Sequence, residues 1–326
     1  MKIKVGTRGS KLAVTQTKQA VAFIQNKFPK LEVELVEITT KGDRLAHHSL
    51  ASIGGQGAFV KEIEYQLSQG NIDLAIHSLK DLPTIIPNDL TIGAVLKREN
   101  PLDCLLFKEE KMTLKKLPLG AKVGTSSLRR QAQLLKVRPD LEIIPIRGNI
   151  DTRIKKLYEG PYDAIVLACA GLTRMGFLEQ ETQLNYEVLP ATTCLPSIGQ
   201  GALALECRKE DASLLSILTE IEDKKTRAEV DAERSFLRMM DGSCTFPIGA
   251  YAEQLETGEV RLAGVITSYN GTEYLHETVT DKNPILAGQL LANLLKEQGA
   301  ERVIQECQEH VRKTTLHETT TLSKED

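Results

Sequence analysis

KIKVGTRGS (residues 2–10) and AKVGTSSLRR (121–130) decide the fold. In each, a short apolar run reaches Val-Gly-Thr, turns through small polar residues and enters a helical pattern, and the two triplets begin 118 residues apart. A second match agrees in order: Gly57, Gly70 and Asp73 recur as Gly148, Gly160 and Asp163, offset by 91, 90 and 90 residues. Both copies lead into apolar strands, Leu74-Ala75-Ile76 and Ala164-Ile165-Val166-Leu167. Repeats that keep their order and nearly keep their spacing predict two copies of one βαβ-type lobe. The first copy shows the alternation: a strand at Ile3–Val5, an amphipathic helix through Leu12, Ala13, Gln16, Ala20 and Ile24, then a strand around Val33–Ile38. The expected fold class is therefore α/β, with mostly parallel sheets and helices on both faces. Ligands of such sheets collect beyond the carboxyl ends of the strands, which points to the loops after Val5, Ile76, Val123 and Ile146 and to a cleft between the lobes.

Past Lys224 the character changes. A helix from Arg227 to Met240, a loop at Asp241–Pro247 and alternating strands up to Val279 predict a smaller C-terminal α+β domain, closed by a last helix around Ile285–Gln298. The polar tail, 314–326, lacks the apolar residues to pack. A chain of 326 residues with 41% hydrophobic content exceeds one core and suits several.

Composition excludes several classes. The net charge is −3 and no stretch of Lys and Arg forms a sustained basic stripe, so DNA and RNA are not expected partners. No stretch approaches the roughly 20 apolar residues of a membrane span, and none at the start reads as a signal peptide, so the expected location is the cytoplasm. Six cysteines (Cys104, Cys169, Cys194, Cys207, Cys244, Cys307) show no CxxC spacing and predict free thiols. No metal is indicated, because His47 and His48 are adjacent and the other histidines are scattered. GGQGAF (54–59) lacks the order of a nucleotide-phosphate loop, and no dinucleotide fingerprint follows a strand.

Arginines recur at strand-to-helix turns: Arg8 in GTRGS, Arg129 and Arg130 in GTSSLRRQ, Arg147 and Arg153 in RGNIDTR. Singly, each is ordinarily a solvated charge. Together, at turns whose exposed N–H groups already favour anions, they predict a ligand with several negative charges. Asp81 in HSLKDLP (77–83) follows a strand and has Lys80 beside it, so it is a candidate proton donor or cation stabiliser, although an aspartate in such a place, taken alone, is more often an N-cap or turn residue. Cys244 in GSCTFPIG (242–249) stands in a turn-forming loop, which makes it a candidate nucleophile or attachment point.

Eight ordered motifs carry a resemblance over nearly the whole chain: GTRGSKLA (6–13), GGQGAFVKEIE (54–64), IDLAIHSLKDLP (72–83), VGTSSLRRQAQL (123–134), IRGNIDTR (146–153), LACAGLTRMG (167–176), PSIGQGALALECR (196–208) and GSCTFPIGAYA (242–252). The chain resembles the porphobilinogen deaminase (hydroxymethylbilane synthase) family. The resemblance implies two periplasmic-binding-protein-like lobes, 1–99 with 200–218 and 100–199, a C-terminal domain at 222–313 and a flexible tail at 314–326. It implies a dipyrromethane cofactor held by a thioether to Cys244, and stepwise condensation of porphobilinogen with loss of ammonia to give linear hydroxymethylbilane. Residue by residue, it assigns Asp81 to catalysis and Lys80, Asp81, Thr125, Ser127, Arg129, Arg130, Arg147 and Arg153 to the cofactor. Arg8, Ser10, Phe59, Arg174 and Gln200 fall to the substrate, with Phe59 placed to stack on the pyrrole ring. A monomer acting on a small molecule is implied. Ser52 and Gln56 stand where many members have lysine, and Ser243 replaces a frequent glycine.

Two other classes are compatible with the residues alone. A non-catalytic two-lobed protein for an anionic small molecule would use the same arginines and leave Cys244 dispensable. An acyl- or thiol-transfer enzyme would use Cys244 as a transient nucleophile, with a depressed thiol pKa.

Overall fold

The computed structural model describes residues 1–40, 60–178, 184–240 and 246–310. The chain runs β1 (Lys2–Arg8), α1 (Lys11–Lys27), β2 (Glu32–Ile38), α2 (Lys61–Ser68), β3 (Leu74–Ser78), a 3-10 turn (Leu79–Asp81), β4 (Leu90–Val95) and β5 (Asp103–Phe107). It continues with β6 (Lys122–Gly124), α3 (Leu128–Val137), β7 (Glu142–Ile144), α4 (Ile150–Glu159), β8 (Ala164–Ala168), α5 (Cys169–Arg174), β9 (Asn185–Leu189), β10 (Leu203–Arg208) and α6 (Ala212–Ile221). The last part holds α7 (Lys224–Met239), β11 (Ile248–Gln254), β12 (Val260–Thr267), β13 (Tyr274–Asp281) and α8 (Pro284–Glu297).

Two five-stranded sheets result, ordered β2-β1-β3-β10-β4 and β7-β6-β8-β5-β9. The internal repeat is visible at hydrogen-bond level. Lys4 N–H donates to Asp73 Oδ2 at 2.9 Å while Asp73 N–H donates back to the Lys4 carbonyl at 2.8 Å. In the second copy Lys122 and Asp163 make the same exchange at 2.7 and 2.9 Å. The aspartate that closes each repeat therefore clamps the strand that opens it.

In each sheet four strands share a direction, as the apolar βαβ pattern predicts, and one runs against them: β10 in the first and β5 in the second. These two are the strands laid down after the chain crosses between lobes, through 96–102 on the way out and 190–202 on the way back. The crossings touch where Glu99 N–H donates to the Gly201 carbonyl at 3.1 Å. Gly201 has φ +88°, and a Cβ there would lie 2.3 Å from the Glu99 carbonyl oxygen, so only glycine lets the two segments pass.

The C-terminal domain lays α7 and α8 on the antiparallel sheet β11-β12-β13, with Phe236, Leu262 and Leu291 fully buried between them. Glu233 of α7 fastens it to the crossings. Its carboxylate, buried completely, accepts from Arg98 at 2.7 and 3.1 Å, from the Gly199 amide at 2.7 Å and from the Ala252 amide at 2.9 Å. The chain does not end its helices where the sequence pattern suggests. Gly299, with φ +96°, stops α8, but residues 300–310 are helical again and bury Val303 and Ile304 in the same core.

Candidate active site

Each lobe ends its first strand in a turn that starts a helix, and the turn chemistry is local. Ser10 caps α1 through its hydroxyl, which accepts from the Ala13 amide; Ser127 caps α3 in the same way, and Asn149 caps α4 through its carboxamide oxygen, which accepts from the Thr152 amide. Gly148, with φ +117°, makes the bend that sets Asn149 at its cap and brings its own carbonyl to Arg153 Nε at 2.7 Å.

These turns, with the end of β3 and the start of α5, enclose a cleft of about 680 Å³ between the two sheets. Its walls bring together Arg8, Ser10, Lys80, Asp81, Arg130, Arg147, Arg153, Arg174 and Gln200. Lys156, which sequence reasoning missed, also lines it, donating to the Arg147 carbonyl at 3.0 Å. Among the described residues the lining thus carries seven cationic side chains against one carboxylate, Asp81.

The electrostatics follow from that count. Burial, then the like charges of Arg130 and Arg147, push the Arg153 guanidinium down to about 10. Burial lowers Lys80 from the ordinary lysine value, with Asp81 opposing the shift, and lowers Arg174, with Glu99 opposing. Arginines crowded until their proton affinity drops are arranged for an anion that arrives with the ligand.

Arg129 takes a different place. It is 5% exposed and is not among the residues lining the cleft. Its Nη1 donates to Asp103 Oδ2 at 2.8 Å and to the Leu195 carbonyl at 2.6 Å. Asp103 binds Arg130 as well, Nη2 to Oδ1 at 2.7 Å, and accepts from Gln200 Nε2 at 2.9 Å. Burial alone would raise the Asp103 pKa; the two guanidiniums overcome it and hold the carboxyl well below the usual range. Asp103, like Lys156, is a residue of this arrangement that the sequence alone does not mark. Its signal was one acid heading the apolar run DCLLF (103–107).

Thr125 and Ser127 are framework groups here: Thr125 Oγ1 accepts from the Ser127 amide at 3.2 Å. Cys244, Ser243, Phe59, Ser52 and Gln56 lie outside the described residues. Among the described residues no group of His, Cys, Asp and Glu is placed to hold a metal ion, and no helix is long and apolar enough to cross a membrane.

Two family models match the chain: "Porphobilinogen deaminase, dipyromethane cofactor binding domain" over residues 3–216, and "Porphobilinogen deaminase, C-terminal domain" over residues 227–297. Curated relatives include a porphobilinogen deaminase of Streptococcus sanguinis, 55% identical over 77% of this chain and 82% of its own. Another, from Brevibacillus brevis, is 49% identical over 94% of this chain and 97% of its own. A third, from Staphylococcus aureus, is 46% identical over 94% and 99%. Among solved structures, the methionine-binding protein MetQ superposes with a TM-score of 0.42 at 15% identity, covering 68% of this chain and 89% of that one. The VFT2 domain of Bordetella pertussis BvgS gives 0.40 at 15% identity, covering 68% and 86%.

Proposed function

The chain belongs to the porphobilinogen deaminase family, and from that premise we propose that the arginine-walled cleft holds cofactor and substrate with Asp81 as the carboxylate at the reacting centre. The enzyme condenses four porphobilinogen molecules head to tail, loses ammonia at each round and releases linear hydroxymethylbilane for tetrapyrrole and haem biosynthesis. Its cofactor is dipyrromethane. The non-catalytic binding-protein reading is set aside by relatives that cover 94% of the chain and are named deaminases.

The residues present fit such a group. Arg130 Nε and Gln200 Oε1 are buried without a hydrogen-bond partner among the described residues, and both side chains line the cleft. A pyrrole chain bearing acetate, propionate and N–H groups offers the acceptor one lacks and the donor the other lacks. When bound, dipyrromethane supplies the nucleophilic pyrrole end on which the product grows.

In this reading Arg130, Arg147 and Arg153 grip cofactor carboxylates, with Lys80, Thr125 and Ser127 supporting, and Cys244 anchors the cofactor by a thioether. Arg129 acts from behind the wall through Asp103. Arg8, Ser10, Arg174, Gln200 and Phe59 receive porphobilinogen. As ammonia leaves, positive charge spreads over the substrate pyrrole, and Asp81 balances that charge and relays protons between leaving group and ring carbon. We take 1–99 with 200–218 as the first lobe, 100–199 as the second and 222–313 as the C-terminal domain, a division supported by which strands share a sheet. A cytoplasmic monomer that binds no nucleic acid completes the proposal; the cations gathered inside a concave cleft, rather than on an outer stripe, support the last point.

The observation that carries the proposal is the single carboxylate among seven cations in the cleft lining of the described residues. The test is Asp81→Asn, with cofactor loading read by intact mass and turnover by product formation. Retained cofactor with turnover reduced by about 100-fold or more is expected; near-normal turnover removes Asp81 from the mechanism.

A further inference from the structure

Three consecutive carbonyls follow Asp81, at Leu82, Pro83 and Thr84, in a stretch that belongs to no helix or strand. Leu82 and Thr84 are buried, and Pro83 has no N–H to offer a neighbour. Buried carbonyls outside regular structure need donors from elsewhere. The donor comes from the C-terminal domain. Arg234 of α7, 7% exposed, sends Nη1 to the Leu82 carbonyl at 3.2 Å and Nη2 to those of Pro83 at 2.8 Å and Thr84 at 3.4 Å. One turn further along, Arg238 Nη2 reaches the Thr84 carbonyl at 3.2 Å. One turn earlier, Val230 packs in a buried cluster with Leu79 and Leu82. Residues four apart on one helical face thus hold the backbone on both sides of Asp81. The guanidinium spreads its donors over two nitrogens held in one plane, which suits three carbonyls in succession; an ammonium has three donors too, but on a single nitrogen with no such fork.

We propose that Arg234 is a positioning residue for the condensation: from the C-terminal domain it fixes residues 82–84 and so sets where the Asp81 carboxylate stands in the cleft. The inference rests on the reading that Asp81 acts at the reacting centre. It also gives α7 a second duty, because the helix ends at Met239, five residues before Cys244 in the chain. The support of the carboxylate and the approach to the cofactor's anchor belong to one element. Burial and the neighbouring Arg238 push the Arg234 guanidinium down to about 10, which leaves it charged at neutral pH.

The test compares holoenzymes of Arg234→Met, Arg234→Lys and Asp81→Asn, with cofactor loading by intact mass, kcat and KM per loaded molecule, and amide hydrogen exchange of residues 79–85. Arg234→Met is expected to lower kcat about tenfold or more, since small displacements of a reacting group are costly, while KM for porphobilinogen stays within about twofold. Exchange at 79–85 should quicken while β3 and β10 keep their protection. Arg234→Lys should fall between Met and wild type, and it decides the matter if Arg234→Met does not fold. Unchanged kcat per loaded molecule, whatever happens to thermal stability, overturns the positioning role. Asp81→Asn separates the two ideas: if it is inactive while the Arg234 variants keep full kcat, only the positioning role fails, and if it is active, the underlying reading fails first.

Discussion

In the second lobe the reversed strand β5 begins with Asp103, wholly buried, whose oxygens accept from Arg129 at 2.8 Å, Arg130 at 2.7 Å and Gln200 at 2.9 Å. In the first lobe the reversed strand β10 carries Glu206, equally buried, which meets His77 at 2.9 Å through one oxygen and leaves Oε1 without a hydrogen bond among the described residues. Glu64 of α2 is buried beside it, also with an orphaned oxygen. Burial first, and then the charge of Glu206, push the Glu64 carboxyl up to about 7. Repeated architecture has been loaded with opposite electrostatics. Where the anion is surrounded by cations, it is a fixed charge that braces Arg130 against the cleft. Where carboxylates crowd one imidazole, the Glu64 carboxyl takes up a proton near neutrality.

Removing Asp103 should do the most damage. Asp103→Ala strands two buried guanidiniums, and a loss of about 3–5 kcal/mol in denaturant unfolding is expected, together with poor cofactor loading. Glu206→Gln should cost far less, because its partner is one imidazole. Equal losses at the two positions would erase the contrast between the lobes.

Arg129→Leu comes next. Asp103 keeps Arg130 and Gln200, so a loss of about 2 kcal/mol is expected, with turnover per loaded molecule largely retained. Arg130→Leu should lose both stability and loading. Turnover that collapses in Arg129→Leu while its stability holds would place that guanidinium in the cleft after all.

The pH response should differ in sign between the lobes. The folded-state pKa of Glu64 lies above its ordinary 4.5, so its contribution is complete below that pH and is lost as pH rises through about 7. Asp103 is held below its ordinary 3.8, so its contribution is present above that value and is lost only as pH falls beneath it. Wild-type stability should therefore decline, on the order of 2 kcal/mol, between about pH 4.5 and pH 8, and Glu64→Gln should flatten that slope. An unchanged slope in Glu64→Gln assigns the dependence elsewhere. The smallest effect is expected at Lys11–Asp151, an exposed 3.0 Å pair that joins α1 of one lobe to α4 of the other. Lys11→Ala should change unfolding by less than about 0.5 kcal/mol.

The two lobes were legible because turn chemistry is local: Val-Gly-Thr before a capped helix reads the same at residue 5 as at residue 123. The arginine cluster was legible for the same reason. Asp103 was not, since its partners stand 26, 27 and 97 residues away and nothing near it in the chain announces them. Nor could sequence separate Arg129 from Arg130. Adjacent residues on a helix point about 100° apart, and which of them meets the cleft depends on how α3 sits against a strand that arrives from the other lobe. The reversed directions of β5 and β10 escaped for that reason too. Arg234 looked like one more charge on a helix until the fold laid α7 along the loop of Asp81.

The most direct single measurement is the intact mass of the purified, denatured protein beside its Cys244→Ser variant. An added mass equal to two pyrrole units in the wild type, absent from the variant, is the predicted result for a cleft that keeps its polyanion covalently anchored. The same added mass on Cys244→Ser, or a wild-type chain that stays unmodified after incubation with porphobilinogen, would contradict it.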